Sequence, residues 1–404
     1  MKVGVIGAGL IGCATAYALA REGHEVLLLD AASGPGQAAS RANGAQLSYS
    51  YVEPLASPGT LRGLPRLLLD PASPLRVRPV ADWRQWAWGL QFLAACTTAQ
   101  VQRGTIELLA LARTSRRVLE AWLAEENWDI AFARNGKLVL CGSEASLAAQ
   151  RRQIDFQVRH GAAPQQVLTA GECIAREPAL AGQAGRIAGG VWTESECVAD
   201  PFALCRALLA GLLRHGGQAR FHCTVSGFVS SGRQVRAVRS SLGEIEADQW
   251  VLAAGSQSAR LAAPLGLRLP VWPLKGYSLT LPLRRPERAP RVSVTDLSRK
   301  TVFAPLAGQL RVAAMAELGG HDLAIPPQRV AQMKASVEAL FPGACDLDKP
   351  CPWAGLRPAT PTGLPLIGPA QGWDNLLLNA GHGALGLTLA AGSAARVAGL
   401  LKLP

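Results

Sequence analysis

Residues 3–30 read VGVIGAGLIGCATAYALAREGHEVLLLD. This stretch starts as an apolar strand, passes through Gly7, Gly9 and Gly12 into a segment with helical spacing, and ends in a second apolar strand that closes on Asp30. In such a unit the first glycine allows a tight turn, the second lets the backbone approach a pyrophosphate, and the third lets helix and strand pack closely. The helix N-terminus binds phosphate, and the carboxylate accepts the ribose hydroxyls. The stretch therefore predicts a dinucleotide-binding βαβ unit, and an acid at this position disfavours a 2′-phosphate.

The composition is that of a folded protein with a cationic surface. The 404 residues correspond to about two to three domains. Hydrophobic residues make up 49% and charged residues 17%, which excludes disorder as the main state. The formal net charge of +12 attracts anions. Because the arginines are scattered rather than grouped with aromatic residues on one element, we expect no nucleic-acid partner.

The cysteines and the apolar runs bear on metal binding and localisation. Nine cysteines without a C-x-x-C pair favour neither a disulfide framework nor a metal site, and indicate reduced thiols in a cytoplasmic protein. The uncharged run 3–20 is rich in glycine and leads into a second strand, so we do not interpret it as a targeting peptide. The apolar run 385–401 is interrupted by Arg396, and we expect no transmembrane span.

Further pieces of the nucleotide-binding unit are spread along the chain. A buried strand ends at Gly255, and an earlier strand would bring Val225 to an adenine. The small polar residues 33–46 follow the second strand in place of a regular βαβ repeat, which favours an extended flavin over NAD. Elsewhere, Asn135-Gly136 predicts a hairpin over residues 130–142.

These pieces predict an α/β fold in which a discontinuous Rossmann-like FAD-binding domain is interrupted by a mixed α+β substrate domain. The ranges predicted for the FAD-binding domain are 1–75, 165–262 and 345–404, and those for the substrate domain are 76–164 and 263–344.

Several motifs resemble one flavoprotein family over nearly the whole chain. They are the opening Gly-Ala-Gly and the segments SRANGAQ (40–46), PLKGYSL (273–279), WAGLRP (353–358) and NAGHG (379–383). In this order they are similar to the D-amino-acid oxidase/glycine oxidase family of FAD-dependent oxidoreductases, and within it to the bacterial D-amino-acid dehydrogenases. The resemblance implies an FAD-binding domain and a mixed-sheet substrate domain that covers the flavin ring.

The resemblance also implies which residues contact FAD. They are Gly7, Gly9, Gly12, Asp30, Ser40, Asn43, Gly44, Gln46, Val225, Gly255, Gly383, Leu385, Gly386 and Thr388. The segment that starts at Gly381 opens the last helix, so the positive end of the helix dipole can face the flavin N1–C2=O edge. For His382 two interpretations stay open, a flavin neighbour or a spacer residue in the loop.

Three further residues are candidates for substrate binding. Arg357 is followed by a proline, and a guanidinium makes a bidentate pair with a carboxylate. The resemblance implies that Arg357 clamps the substrate α-carboxylate; the alternative is an ordinary salt bridge. Tyr51 and Tyr277 are candidates for contact with the substrate carboxylate or amine, with a purely structural role as the alternative.

The chemistry implied by the resemblance is oxidative deamination of D-amino acids, with hydride transfer from Cα to flavin N5. Hydrolysis of the imino acid then yields a 2-oxo acid and ammonia, and no side-chain base is required. The electron acceptor is a quinone or oxygen. The alternatives are the same chemistry on glycine, sarcosine, D-proline or hydroxyproline, also as a subunit of a complex, and a non-catalytic FAD electron-transfer subunit.

One segment suggests where an acceptor would be met. Residues 62–92 combine arginines with tryptophans and leucines, a composition that suits the surface of an anionic membrane. This predicts a peripheral contact with the inner membrane. The alternatives are a basic loop over the active site and ordinary folded surface.

Overall fold

A computed structural model describes residues 1–62 and 73–401. Its strands are, in chain order, β1 (Lys2–Ile6), β2 (Glu25–Leu29), β3 (Gln46–Leu47), β4 (Leu75–Val77), β5 (Lys137–Cys141), β6 (Gln166–Thr169), β7 (Gly189–Thr193), β8 (Cys197–Val198), β9 (Gln218–Arg220), β10 (Val225–Ser231), β11 (Gln234–Ser240), β12 (Gly243–Glu246), β13 (Gln249–Leu252), β14 (Trp272–Pro282), β15 (Ser293–Asp296), β16 (Thr301–Leu306), β17 (Gln309–Leu318), β18 (Cys351–Ala359), β19 (Leu366–Pro369) and β20 (Leu376–Ala380). The α-helices with bounds inside the described ranges are α1 (Leu10–Arg21), α2 (Trp83–Ala95), α3 (Thr98–Glu126), α4 (Glu144–Arg159), α5 (Ala170–Arg176), α6 (Pro201–Arg214), α7 (Ser258–Ala262), α8 (Pro327–Leu340) and α9 (Gly386–Leu400).

The predicted βαβ unit lies at the centre of a six-stranded sheet, which confirms the α/β fold. The strand order is β19-β20-β13-β1-β2-β9, and every pair is parallel except β19 with β20. Gly7 has a φ of +106°, and a Cβ on Gly12 would lie 1.7 Å from the Gly7 carbonyl oxygen. Only glycine fits at both positions, as the fingerprint requires.

A second, nine-stranded sheet forms the other layer of the molecule. Its order is β18-β14-β17-β16-β15-β5-β7-β6, with β4 paired to β17 beside this path. Leu138, Leu279, Val312 and their neighbours on one face form a core that α8 covers. The opposite face points towards the nucleotide-binding sheet, because Ser278 on that face donates a hydrogen bond of 2.5 Å to the Ala42 carbonyl.

Strand pairing groups the chain differently from the predicted domain ranges at two places. β6 and β7 fall in the range 165–262, and β18 falls in 345–404, both assigned above to the FAD-binding domain. Their hydrogen bonds place all three in the second sheet, since β7 pairs with β5 and β18 pairs with β14. Local sequence patterns predict where a strand lies, whereas the sheet that the strand joins is decided by strands far away in sequence.

The long helix α3 also departs from the predicted division. It lies in the range 76–164, yet it packs on the nucleotide-binding side against α1 and α9. Tyr17 of α1 packs edge-on against Trp122 with 5.0 Å between ring centres, and its hydroxyl donates to Glu126. Helix α3 is therefore part of the core beside the βαβ unit.

The hairpin predicted over residues 130–142 is wrong. Gly136 does adopt a left-handed turn conformation, with a φ of +72°. The strand that follows it, β5, pairs with β15 in parallel and with β7 in antiparallel. The segment before the turn makes a bridge from Ala133 to Val198 instead.

Within residues 1–62 and 73–401, one helical stretch, Gly383–Leu400, has the length and apolar composition needed to cross a membrane. Of this stretch 56% is buried inside the fold, where α9 packs against α1 and α3.

We expect Gly12→Ala to lower the free energy of unfolding by about 2 kcal/mol or more, because the added Cβ cannot be accommodated without a backbone shift. The same shift disturbs the turn that approaches the pyrophosphate, so the variant also loses bound dinucleotide. Chemical denaturation and the absorbance of retained cofactor measure the two effects. Gly171→Ala in α5 is the control: its Cβ meets nothing within 4 Å, and stability should change by less than about 1 kcal/mol.

Candidate cofactor and substrate site

The carboxyl edge of the six-stranded sheet brings together the residues predicted for the nucleotide half of FAD. The Asp30 carboxylate accepts hydrogen bonds from the backbone N–H groups of Ala8, at 2.6 Å, and Ala32, at 2.7 Å. The Ser40 hydroxyl accepts from the N–H of Leu10, at 3.0 Å. The glycine turn, the acid at the end of β2 and a hydroxyl at the start of α1 therefore share one edge.

Val225 and Gly255 reach the same edge from later parts of the chain. The N–H of Cys223 donates to the backbone oxygen of Asp30 at 2.9 Å, which holds the start of β10 and the half-buried Val225 close to the acid. Gly255 follows β13, the parallel neighbour of β1, and has a φ of +56°.

The segment 42–46 lies between the two sheets. The Asn43 carbonyl accepts a hydrogen bond of 3.0 Å from Arg311 of β17, and the Gln46 side chain donates to the Ser293 hydroxyl of β15. A Cβ on Gly44 would lie 3.4 Å from the Cβ of Ala313. The three residues predicted here thus contact the face of the second sheet that points to the nucleotide-binding domain.

The start of the last helix contacts Ser48, two residues beyond the segment 42–46. Thr388, in the first turn of α9, accepts a hydrogen bond of 3.1 Å from the N–H of Ser48. His382 forms an antiparallel bridge with Ala359, and Ala359 follows Arg357 by two residues. The motifs at 353–358 and 379–383 are therefore adjacent in space, and Gly383, Leu385 and Gly386 form the turn that opens the helix.

The His382 ring is buried and neutral. Burial lowers its pKa to about 3, and its Nε2 lies 2.8 Å from the hydroxyl of Ser393. A Cβ on Gly381, whose φ is +83°, would lie 2.7 Å from Thr360. His382 thus anchors the loop to α9, which favours the structural interpretation of this residue.

Arg357 is a partly buried cation, and no acidic side chain in the described part of the chain pairs with it. Its guanidinium donates to the Met315 carbonyl at 3.2 Å, and among the described residues no carboxylate lies within 4.0 Å of it. A Cβ on Gly276 would lie 2.3 Å from Cζ of Arg357, so this glycine provides the space for the group. Desolvation lowers the pKa of Arg357 to about 10. A cation in this state favours an anionic ligand.

The backbone around Arg357 is strained. Met315 has a φ of +66°, an uncommon conformation for a residue with a side chain. It lies at a register shift between β14 and β17, where the partners change from Lys275–Glu317 to Tyr277–Ala314. The bulge turns the Met315 carbonyl towards the guanidinium, which orients Arg357 without neutralising its charge.

The structure places the two predicted tyrosines in different surroundings. Tyr277 is fully buried in the core under α8, and its hydroxyl donates to Glu317 at 2.9 Å. Because Leu274 lies opposite Arg357, alternation along β14 places Tyr277 on the other face of the sheet. The prediction that Tyr277 contacts substrate is therefore not supported by its position. Tyr51 packs instead against Lys137, whose Nζ lies 4.3 Å from the ring centre.

Buried charges that the sequence analysis did not single out lie on the same side of the second sheet. They are Lys137 on β5, Glu196 before β8 and Arg311 on β17. A signal was present for Lys137, since it opens an otherwise apolar strand of sequence KLVLC. Charged residues are rarely buried without a role.

Comparison with known proteins identifies the family. A model described as FAD dependent oxidoreductase matches residues 2–400. The chain belongs to this family. D-amino acid dehydrogenase 2 of Ralstonia nicotianae is 47% identical over 99% of this chain and 96% of the relative. The protein of the same name from Pseudomonas aeruginosa is also 47% identical, over 97% of this chain and 92% of the relative.

Solved structures show the same fold. Glycine oxidase from Geobacillus kaustophilus has a TM-score of 0.78 and 24% identity, and covers 99% of this chain and 95% of its own. Glycine oxidase from Bacillus cereus has a TM-score of 0.76 and 20% identity, over 99% of this chain and 94% of its own. FAD is the cofactor of the family. The residues fit it: Gly7 and Gly12 have no space for a Cβ inside the turn, and a Cβ on Gly9 would meet only the Ser40 hydroxyl, at 3.7 Å, so the backbone at Gly9 is open to a pyrophosphate.

We expect Arg357→Met to weaken binding of a simple carboxylate such as propionate about 100-fold, because a charge-assisted bidentate pair is lost. Arg357→Lys should recover only part of the affinity, since an ammonium lacks the planar fork. Titration of the flavin absorbance with propionate measures both effects.

Arg329→Lys is the matched control for this experiment. Arg329 is buried and lies on α8 against the opposite face, where it donates to the Ser73 carbonyl at 3.2 Å. Its substitution should alter stability and leave propionate affinity unchanged. Equal affinity of Arg357→Met and the unsubstituted protein would contradict the assignment of Arg357.

Proposed function

We propose that this protein is an FAD-dependent dehydrogenase that converts D-amino acids to 2-oxo acids and ammonia. The observation that carries the proposal is the guanidinium of Arg357, which has no acidic partner among the described residues and whose strand bridges to the start of the last helix, a position suited to a substrate carboxylate. The two relatives at 47% identity named D-amino acid dehydrogenase support the substrate class.

The residues proposed to hold FAD form two groups. The adenosine and pyrophosphate half is held by Gly7, Gly9, Gly12, Asp30, Ser40, Val225 and Gly255. The flavin half is held by Asn43, Gly44, Gln46, Gly381, Gly383, Leu385, Gly386 and Thr388, and His382 positions this loop through Ser393 of α9. Bound FAD supplies the acceptor for two electrons and the Cα hydrogen of the amino acid.

The chain's own contribution to the reaction is to position the substrate. Arg357 holds the carboxylate by two parallel hydrogen bonds, and this fixes the direction of the Cα–H bond. We assign no side chain as a general base, because a substrate with a neutral amine needs none. Tyr51 remains a candidate for contact with the substrate, through its position beside Lys137.

We propose a domain division that follows the strand pairing. The substrate domain comprises the nine-stranded sheet with the helices that cover it, and the FAD-binding domain comprises the six-stranded sheet with α1, α3, α6 and α9.

Anaerobic mixing with a panel of D- and L-amino acids tests the function. We expect D-amino acids to bleach the visible absorbance of the flavin, and Arg357→Met to need far higher concentrations for the same bleaching. Bleaching only by glycine, sarcosine or imino acids would show that these compounds, and not D-amino acids, are the substrates. A yellow protein that none of these compounds bleaches would leave an electron-transfer subunit as the explanation.

We further propose that the electrons pass to a quinone in an anionic membrane that helix α2 contacts. Four apolar side chains with helical spacing, Trp83, Trp86, Leu90 and Leu93, project into solvent, and Trp83 is 66% exposed. The neighbouring arginines at 62, 76 and 84 are exposed as well, which suits anionic lipid headgroups. Residues 63–72 of the predicted membrane segment lie outside the described residues.

Co-sedimentation with vesicles of phosphatidylglycerol and phosphatidylcholine tests the membrane contact. The triple variant Trp83→Ser, Trp86→Ser, Leu90→Ser should bind anionic vesicles at least about tenfold more weakly, since it removes most of the apolar stripe. Binding should also weaken in high salt and on pure phosphatidylcholine. The control Leu242→Ser, Leu323→Ser removes exposed leucines elsewhere and should bind normally. Equal binding of the two variants would refute the assignment of α2.

Reoxidation of the substrate-reduced protein identifies the acceptor. A soluble quinone should restore the absorbance faster than air-saturated buffer. Faster reoxidation by air would make the protein an oxidase.

A further inference from the structure

A pair of opposite charges is buried behind residues 48–50, which follow Asn43, Gly44 and Gln46, proposed above to hold the flavin. Lys137 is 3% exposed and Glu196 is 1% exposed. Burial lowers the pKa of Lys137 to about 8 and raises that of Glu196, while each charge partly offsets the effect on the other. Replacing such a pair by apolar residues is often neutral or stabilising, so stability is a weak reason for its presence.

The lysine is connected to the start of the last helix through one residue. Its Nζ donates to the hydroxyl of Ser48 at 2.9 Å, and the N–H of Ser48 donates to the hydroxyl oxygen of Thr388 at 3.1 Å. Thr388 lies in the first turn of α9, where the positive end of the helix dipole is located. The positive charge of Lys137 therefore lies behind the N-terminus of α9 and adds to the positive potential at that end of the helix.

The glutamate is connected to the same segment from the other side. One of its oxygens accepts a hydrogen bond of 2.7 Å from the N–H of Ser50. Its second oxygen and the hydroxyl of Tyr49 are buried without a hydrogen-bond partner among the described residues. The two charges therefore lie on either side of residues 48–50, and both side chains are buried away from water.

We propose that Lys137 and Glu196 tune the reduction potential of bound FAD in opposite directions. Reduction adds negative charge to the flavin, and inside a protein this charge interacts with fixed charges far more strongly than in water. Lys137 stabilises the reduced form and raises the potential, whereas Glu196 opposes it. This inference rests on the proposed position of the flavin beside Thr388.

The test measures the midpoint potential of FAD in the holoenzyme against a reference dye at pH 7.0, which is below the pKa of about 8 of Lys137 and avoids the acid range in which Glu196, whose pKa burial raises, would gain a proton. Lys137→Met should lower the equilibrium constant for two-electron reduction at least tenfold, which corresponds to about 30 mV. Glu196→Gln should shift it in the opposite direction. A purely structural pair would affect thermal stability without giving shifts of opposite sign.

Lys275→Met is the matched control. Lys275 is an equally buried lysine, 2% exposed, on the same sheet, where its Nζ donates to the Ala324 carbonyl at 2.9 Å. It shares the face of Tyr277, which points away from the FAD-binding domain. Removing this charge should leave the potential unchanged. A shift as large as that of Lys137→Met would show a general effect of charge and would overturn the proposal.

Two outcomes separate failure of this inference from failure of the proposed function. If D-amino acids bleach the unsubstituted protein but both variants keep its potential, the inference fails alone. If no D-amino acid bleaches it, the function fails, and the potentials still decide the inference because dithionite reduces FAD directly. Titration of the apoproteins with FAD shows whether any variant has lost cofactor instead. A Lys137→Met variant that binds no FAD is replaced in the comparison by Lys137→Gln, which retains a polar group for Ser48.

Discussion

The hydrogen bond from Arg357 to the Met315 carbonyl is the contact on which the architecture of the candidate site depends. It holds a guanidinium in a desolvated position with a neutral partner, so the positive charge stays available to an anion. Three features of the backbone produce it: the bulge between β14 and β17, the left-handed conformation of Met315, and the absence of a side chain at Gly276. The strain at Met315 is maintained by two long, paired strands on either side.

The same face of the second sheet carries further buried cations, each held by neutral groups. Arg311 donates to the Asn43 carbonyl and Lys137 to the Ser48 hydroxyl, and burial lowers the pKa of both. The positive charges of these two side chains are partly balanced by carboxylates at longer range. Asp200 lies 3.9 Å from Arg311, and Glu196 acts on Lys137. A face with this charge distribution favours anions between the two sheets, which matches a dinucleotide cofactor and a carboxylate substrate.

Local patterns were sufficient to predict one half of this molecule. The βαβ unit with Gly7, Gly12 and Asp30 could be recognised because its glycines, strands and acid lie within thirty residues of each other. The helix at Pro201–Arg214 is likewise of local origin, since Asp200 caps it and Pro201 occupies its first position. Arg357 was identified from its motif, while its lack of an acidic partner became visible only with the fold.

Features that depend on distant strand partners could not be predicted. The turn at Gly136 exists, but β5 takes β7 and β15 as partners rather than the segment before the turn. The face on which Tyr277 lies follows from the register of β14 against β18, which no local pattern specifies. Lys137 gave a weak local signal, and its meaning depends on Ser48 and Glu196, which are remote in sequence.

A hydrogen bond links α2 to the strand that carries Arg357. The indole of Trp88, on the inner face of α2, donates to the Ala359 carbonyl at 2.9 Å. Ala359 follows Arg357 by two residues and bridges to His382 at the start of the last helix. The apolar stripe of α2 is thus the outer side of an element whose inner side contacts the strand that carries Arg357. An acceptor that approached from a membrane would meet the protein on the side where we propose that Arg357 binds the substrate carboxylate.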